Sequence, residues 1–146
     1  MNKQKYYLIY ACIFIPLMVF MGWLLLRISK IQQAEEKIVL SREIQQAQRH
    51  LMVDLLSVPQ KAIRVPADGK WYDEISVAGG QQAFDYVIKE DHLWRFSQGQ
   101  STMVAYHMED LRIRHQSSSP DIFEIQIEAA TNGVEMYSYL KIRAHQ

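Results

Sequence analysis

From Tyr6 to Leu26 the chain runs 21 residues without a charge. As a helix that stretch would be about 31 Å long, close to the roughly 30 Å hydrocarbon core of a bilayer. Lys3 and Lys5 precede it, Arg27 and Lys30 follow it, and Tyr6, Tyr7, Tyr10 and Trp23 lie near its ends, where aromatic rings suit a headgroup interface. An apolar run without a polar face predicts a membrane-spanning helix over 6–26 rather than the core helix of a soluble protein. Leu24-Leu25-Leu26-Arg27 offers no small-residue cleavage site, so the segment is read as an anchor and not a removed signal. Cys12 reads as a small apolar residue within the bilayer, and Pro16 removes one helical N–H and is expected to loosen the span there.

Beyond Arg27 the period changes but the helix does not end. No Gly or Pro occurs between Gly22 and Pro59. Apolar or small residues fall at Leu40, Ile44, Ala47, Leu51, Leu55 and Val58, in alternating steps of four and three, which draws one apolar stripe along a helix. The opposite face carries Gln32, Gln33, Glu35, Glu36, Arg42, Gln45, Gln46 and Arg49, and substitutions at Gln46 and Arg49 are expected to be near neutral. Pro59 stops the helix. Read as one rod, Tyr6 to Val58 would measure about 80 Å. The stripe could be a coiled-coil seam, but that takes about three or four regular heptads and only Leu40 to Val58 is regular. The expectation is therefore that this face covers a sheet.

The strands of that sheet lie in the remainder of the chain. Short alternating runs at Lys61–Val65, Trp71–Val77, Ala83–Lys89, His92–Phe96, Thr102–Tyr106 and Leu111–His115 are separated by turn residues: Pro66 to Gly69, Ala78 to Gly80, Glu90-Asp91, Ser97 to Gln100, and the polar loop Gln116 to Asp121. Phe123, Ile125 and Ile127 alternate with Glu124, Gln126 and Glu128, the signature of a half-buried strand. Asn132-Gly133 marks a hairpin whose return strand puts Met136, Leu140 and Ile142 on one face and Tyr137, Tyr139, Lys141 and Arg143 on the other. Six to eight strands with short connections predict an antiparallel sheet. The fold class is thus α+β: residues 1–5 a short cytoplasmic amino terminus, 6–26 a transmembrane helix, 27–58 an extended amphipathic helix, and 61–146 an antiparallel β-rich extracytoplasmic domain packed on that helix.

Charge adds one distinction. Lys plus Arg equals Asp plus Glu at 16 each, but residues 1–60 hold 7 basic and 4 acidic side chains (net +3) and residues 61–146 hold 9 and 12 (net −3). An acidic outer half argues against a nucleic-acid reader, and one cysteine excludes a disulfide framework or a Cys-rich zinc site. Histidines stand at His50, His92, His107, His115 and His145. His107, Glu109 and Asp110 lie close together but lack a third ligand at a known spacing, so they read as a polar turn between strands. Ser117-Ser118-Ser119 has no nucleophile-elbow context, and Gly79-Gly80 is not a phosphate loop. Trp71, Trp94 and Phe96 near Lys70 and Arg95 could form a stacking platform for single-stranded nucleic acid, but aromatics on strands are more often cross-strand or core residues. No catalytic, cofactor-binding or metal-binding residue is expected, and the chain is read as non-enzymatic.

The architecture resembles type IV pilins and pseudopilins, over nearly the whole chain. Lys5-Tyr6-Tyr7-Leu8-Ile9-Tyr10 stands where that family has its Gly-Phe-Thr-Leu-Ile-Glu processing motif; Leu8 and Ile9 match, Lys5 replaces the glycine and Tyr10 the glutamate. The runs Ala83–Ile88, His92–Arg95, Val104–Leu111, Ile122–Glu128 and Val134–Leu140 are similar in order and spacing to minor pseudopilins, most of all to the competence minor pseudopilin (ComGF-like) family of Gram-positive transformation systems. The resemblance implies a minor subunit of a competence pseudopilus acting in DNA uptake, in assembly or tip priming, with Tyr6, Leu8, Ile9, Tyr10, Pro16 and Met18 on its membrane and assembly helix. Leu40, Ile44, Ala47, Leu51 and Leu55 would form its helix–sheet packing. Implied partners are the other minor and major pseudopilins and the membrane, with extracellular DNA engaged only indirectly, no small-molecule substrate and no cofactor. Single-pass placement at the cell surface or in the pseudopilus, with the carboxy-terminal domain outside, goes with it. The competing expectations are a minor pseudopilin of a type II secretion or type IV pilus system, and a single-pass membrane scaffold outside any filament.

Lys3, Lys5 and Tyr10 set two expected outcomes. External protease on spheroplasts removes the portion after Arg27, and mass spectrometry of the membrane form finds residues 1–5 retained. Full protection of a carboxy-terminal tag would reverse the orientation, and a mature amino terminus at Tyr6 would contradict retention.

Overall fold

The computed structural model describes residues 3–78 and 83–144 of the 146-residue chain. Gly79, Gly80 and His145 lie outside the described residues. The chain divides into two compact units, Met1–Glu35 and Glu36–Gln146.

One helix, α1 (Lys3–Leu56), runs through the first unit and into the second, and continues through Pro16. In the first unit its described side chains from Tyr10 onward find no cover within the chain: Tyr10, Ile13, Phe14, Met18, Val19, Leu25 and Leu26 are all more than half exposed. This stretch is long and apolar enough to cross a membrane.

In the second unit α1 changes character. Leu40, Ala47, Leu51 and Leu55 are fully buried, Ile44 and Val58 nearly so, and they join one hydrophobic core with the strands beyond Pro59. The steps of four and three keep these side chains on one line of the helix surface, and each buried large side chain contributes about 1.5–3 kcal/mol. The helix stops before Pro59, and Ser57 closes it by donating from its hydroxyl to the Asp54 carbonyl at 2.7 Å.

Seven strands complete the unit: β1 (Ile75–Val77), β2 (Phe84–Lys89), β3 (His92–Ser97), β4 (Gln100–Tyr106), β5 (Met108–Gln116), β6 (Ser119–Thr131) and β7 (Val134–Arg143). Consecutive strands pair antiparallel except β4 and β5, so they form two sheets, β1-β2-β3-β4 and β5-β6-β7, where the sequence pattern predicted one. His107, with φ of 56°, is the whole connection between them. A residue in the left-handed region turns the chain sharply within one position, so the expected polar turn at His107, Glu109 and Asp110 shrinks to His107, and the other two belong to β5.

Three hairpins close with two-residue turns in which both residues have positive φ: Glu90-Asp91, Gln98-Gly99 and Asn132-Gly133. This geometry matches the right-handed twist of the flanking strands. Gly, Asn and Asp tolerate it, whereas Glu90 and Gln98 adopt it at a cost of about 1–2 kcal/mol per residue.

Two expected strands are corrected. Lys61–Val65 is a 3-10 turn (Gln60–Ala62) followed by a single bridge from Ile63 to Val77. Ala62, Ile63 and Val65 are all buried, so the segment does not pleat, and Pro59 and Pro66 bracket it. Trp71–Val77 is a strand only at Ile75–Val77; its earlier part touches β5 through Tyr72, which exchanges both backbone hydrogen bonds with Ile113 at 2.9 Å. The polar loop after β5 narrows to Ser117-Ser118, because β6 already begins at Ser119.

Side chains at the margin of the stripe also hold the helix to the sheets. The Gln46 amide donates to the Val104 carbonyl and the Tyr106 N–H donates to the Glu43 carboxylate, both at 2.8 Å. Gln46, expected to be neutral, thus caps β4. In Glu36–Gln146, Leu51→Ala or Leu55→Ala should cost about 2–5 kcal/mol. Gln46→Ala should cost about 1 kcal/mol, and Arg49→Ala should stay within about 0.5 kcal/mol. Denaturant midpoints measure all four.

Candidate functional site

Three surfaces are candidates. The first is the apolar stretch of α1. Met18 is 70% exposed and Tyr10 62%, and Tyr6, Leu8, Ile9 and Pro16 lie on the same helix. Phe20 and Trp23 stack at 6.2 Å, and the Arg27 guanidinium sits 4.8 Å from the Trp23 ring, which places a cation and an aromatic ring together where the apolar run ends. A contiguous apolar surface of this size is stable only in lipid or against other apolar chains.

The second is a polar network between α1 and the four-stranded sheet. The Tyr86 hydroxyl donates to Asp54 Oδ2 at 2.7 Å, and Arg95 Nε donates to the same oxygen at 2.5 Å. Tyr86 and Arg95 are directly paired across β2 and β3, so both point to the helix. The Arg95 guanidinium also lies 5.0 Å over the Phe84 ring. Burial first, then the Asp54 hydrogen bond, raise the Tyr86 pKa well above its ordinary value, and the Asp54 hydrogen bond raises that of Arg95. Tyr86 is therefore a permanent donor and Arg95 a permanent cation. The adjoining depression of about 320 Å³ is lined by Asp54, Ser57, Phe84, Arg95, Ser97 and Thr102 among others. Its acid and its base already satisfy each other, which makes this a structural clamp.

The third is the outer face of β5-β6-β7. Glu124 is buried there although the alternation of β6 turns it away from the core. Its cross-strand neighbours close over it: Arg114 at 2.7 Å and Lys141 at 3.1 Å. The Arg114 guanidinium lies 4.3 Å from the Trp71 ring, whose edge meets Tyr139 at 6.4 Å. The Tyr139 hydroxyl first, then Arg114 and Lys141, hold the Glu124 carboxyl down at about 2. Arg112 pairs with Asp110 at 2.7 Å and Arg143 with Asp121 at 3.1 Å, so this face is charged but internally neutralised.

The residues of the suggested stacking platform do not converge. Trp94 and Phe96 alternate with Arg95 along β3, so they share the face opposite the helix while Arg95 turns to Asp54. Phe96 carries Lys89 at 4.7 Å, and Trp71 packs with Arg114 of the other sheet. Among the described residues no three His, Cys, Asp or Glu side chains gather as metal ligands; Asp110 instead binds Arg112, and buried His115 bonds the Val65 carbonyl at 2.9 Å through Nε2. Sequence reasoning passed over Asp54 and Glu43 and placed Gln46 on the solvent face. Their only signal was position, one step off the apolar stripe, where a polar side chain can reach a sheet edge.

Comparison of the chain with protein-family models, with characterised proteins and with solved structures finds no match.

The depressed carboxyl sets an acid dependence. Because Glu124 titrates lower in the folded state than in the unfolded chain, its contribution is fully present above about pH 4.5 and fades as pH falls toward 2. Glu124→Gln should flatten the fall in stability between pH 5 and 2, measured by thermal unfolding across that range. Asp54→Ala, which strands Tyr86 and Arg95, should cost roughly 1.5–3 kcal/mol at pH 7.

Proposed function

We propose that the protein is a non-enzymatic minor pseudopilin, a subunit of a competence-type pilus that serves DNA uptake by acting in assembly or tip priming. The observation that carries this reading is α1 itself. A single helix presents an uncharged, uncovered apolar surface in its amino-terminal part and a buried stripe under antiparallel sheets in the rest. Such a helix serves twice, first in lipid and then against the apolar helices of neighbouring subunits. The internally neutralised outer face and the net −3 charge of residues 61–146 suit contact with other subunits better than direct contact with DNA. The resemblance in residue order from Ala83 to Leu140 makes a competence machine the first choice among pilus-type systems.

In a naturally transformable host whose own copy is deleted, the wild-type chain should restore transformation. Met18→Asp should fail while remaining in the membrane fraction, because an unpaired charge inside a helix bundle has no water to solvate it; insertion is checked first, since a central Asp costs about 2.5–3.5 kcal/mol on insertion scales. The triple change His107→Asn, Glu109→Ala and Asp110→Ala should restore uptake as well as wild type. Full complementation by an inserted Met18→Asp chain would leave the scaffold reading in its place.

A further inference from the structure

The four outer sheet edges are treated differently. β1 is met by the preceding segment, through Arg64 N–H to Ser76 and Ala78 N–H to Ala62 at 2.8 Å. β4 is capped at Val104 and Tyr106 by Gln46 and Glu43, and β5 is bridged by Tyr72. β7 is ten residues long, and among the described residues its backbone partners all lie on β6. The Asn132-Gly133 turn is closed by Thr131 and Val134, and the closing pair of a two-residue hairpin exchanges both its hydrogen bonds. Even-numbered residues of β7 therefore point their N–H and C=O to β6. Glu135, Tyr137, Tyr139, Lys141 and Arg143 point theirs outward, with no backbone partner among the described residues. An open edge of this length is a template for another strand.

The sequence of the edge says which strand fits. From Val134 to Ile142 it reads Val-Glu-Met-Tyr-Ser-Tyr-Leu-Lys-Ile, and it is chemically the same backwards, except that the charge changes sign. Reversed about Ser138, Val134 meets Ile142, Glu135 meets Lys141, Met136 meets Leu140 and Tyr137 meets Tyr139. The register also satisfies the backbone, because it pairs outward-pointing odd residues with outward-pointing odd residues. Charged side chains on an edge usually prevent pairing; here reversal sets Glu135 of each copy beside Lys141 of the other, and Lys141, 52% exposed while it holds Glu124 at 3.1 Å, can bridge the two carboxylates.

We infer that β7 pairs antiparallel with β7 of a second copy, about a two-fold axis through Ser138, and joins two three-stranded sheets into one of six. An isologous contact of this kind closes on itself and makes a dimer, not a fibre. A two-fold axis normal to the sheet reverses every direction within it, so the helices covering the two sheets run opposite ways. The pair is therefore an alternative to any assembly in which all subunits point one way, and it stands or falls independently of the pseudopilin reading.

The test uses the full chain in detergent micelles with Cys12, the one native thiol, changed to Ala. Ser138→Cys gives up the hydrogen bond that Ser138 Oγ accepts from the Gln48 amide at 2.6 Å, so folding is checked first, and places two thiols on the axis, in a pair whose Cα atoms lie about 4.5 Å apart, within disulfide range. Mild oxidation should yield a covalent dimer. Met136→Cys alone should not cross-link, but mixed with Leu140→Cys it should. Tyr139→Pro removes an outward N–H that β6 does not use and should abolish the dimer with an unchanged circular dichroism spectrum. Glu135→Lys should raise the concentration needed for dimer about tenfold, the combined worth of two cross-strand ion pairs, and it carries the decision if Tyr139→Pro disturbs the fold. Absence of the Ser138→Cys dimer in folded protein overturns the inference. So does a dimer that both edge variants leave unchanged, which would come from the apolar span.

Discussion

Everything beyond residue 36 depends on one interface, the apolar line from Leu40 to Val58 lying against strands that have no other cover. Neither partner is viable alone. Without the sheets the helix would leave its apolar line in water, and without the helix two small antiparallel sheets would leave their inner faces there as well. The helix solves both problems. The polar residues beside the stripe then fix where it sits: Glu43 and Gln46 on β4, Gln48 on Ser138 of β7, and Asp54 on Tyr86 and Arg95. Apolar burial gives most of the attraction and no register; the hydrogen bonds contribute less energy and specify the position.

The same helix carries two incompatible surfaces. Its amino-terminal part exposes large apolar side chains with no cover among the described residues, and from Leu40 to Leu55 it buries one apolar line while Ile38, Val53 and other apolar side chains off that line stay exposed. Its first stretch is long and apolar enough to cross a membrane. The Trp23–Arg27 contact stands where the uncharged run ends, and burial begins later, at Leu40. The core of Glu36–Gln146 contains no side chain from the apolar stretch.

Much of this fold is legible in the residue order. The stripe can be read because its period is unmistakable and because Pro59 fixes its end. Asn132-Gly133 and the Phe123–Ile127 alternation can be read for the same reason, local chemistry with one outcome. The division into two sheets cannot, since it hinges on His107 in a backbone conformation that nothing in Tyr106-His107-Met108 announces. Lys61–Val65 has the residues of a strand but buries Ala62 and Ile63 side by side, which only tertiary context decides. Among the candidate sites, the aromatic cluster dissolves because alternation along β3 separates Arg95 from Trp94 and Phe96. The burial of Glu124 is hidden because its cover comes from two other strands and from Tyr139, none adjacent in sequence.

The one-residue link at His107 has a kinetic meaning. Both sheets are built from neighbours in sequence, and every connection within them except that of β1 to β2 is a two-residue turn, so each can form early from contacts that close only short loops. The costly long-range step is laying both on the helix, across separations of 58 residues for Gln46 with Val104 and 90 for Gln48 with Ser138. Because His107 leaves almost no slack between the sheets, the docking of one nearly fixes the place of the other, and two searches collapse into one.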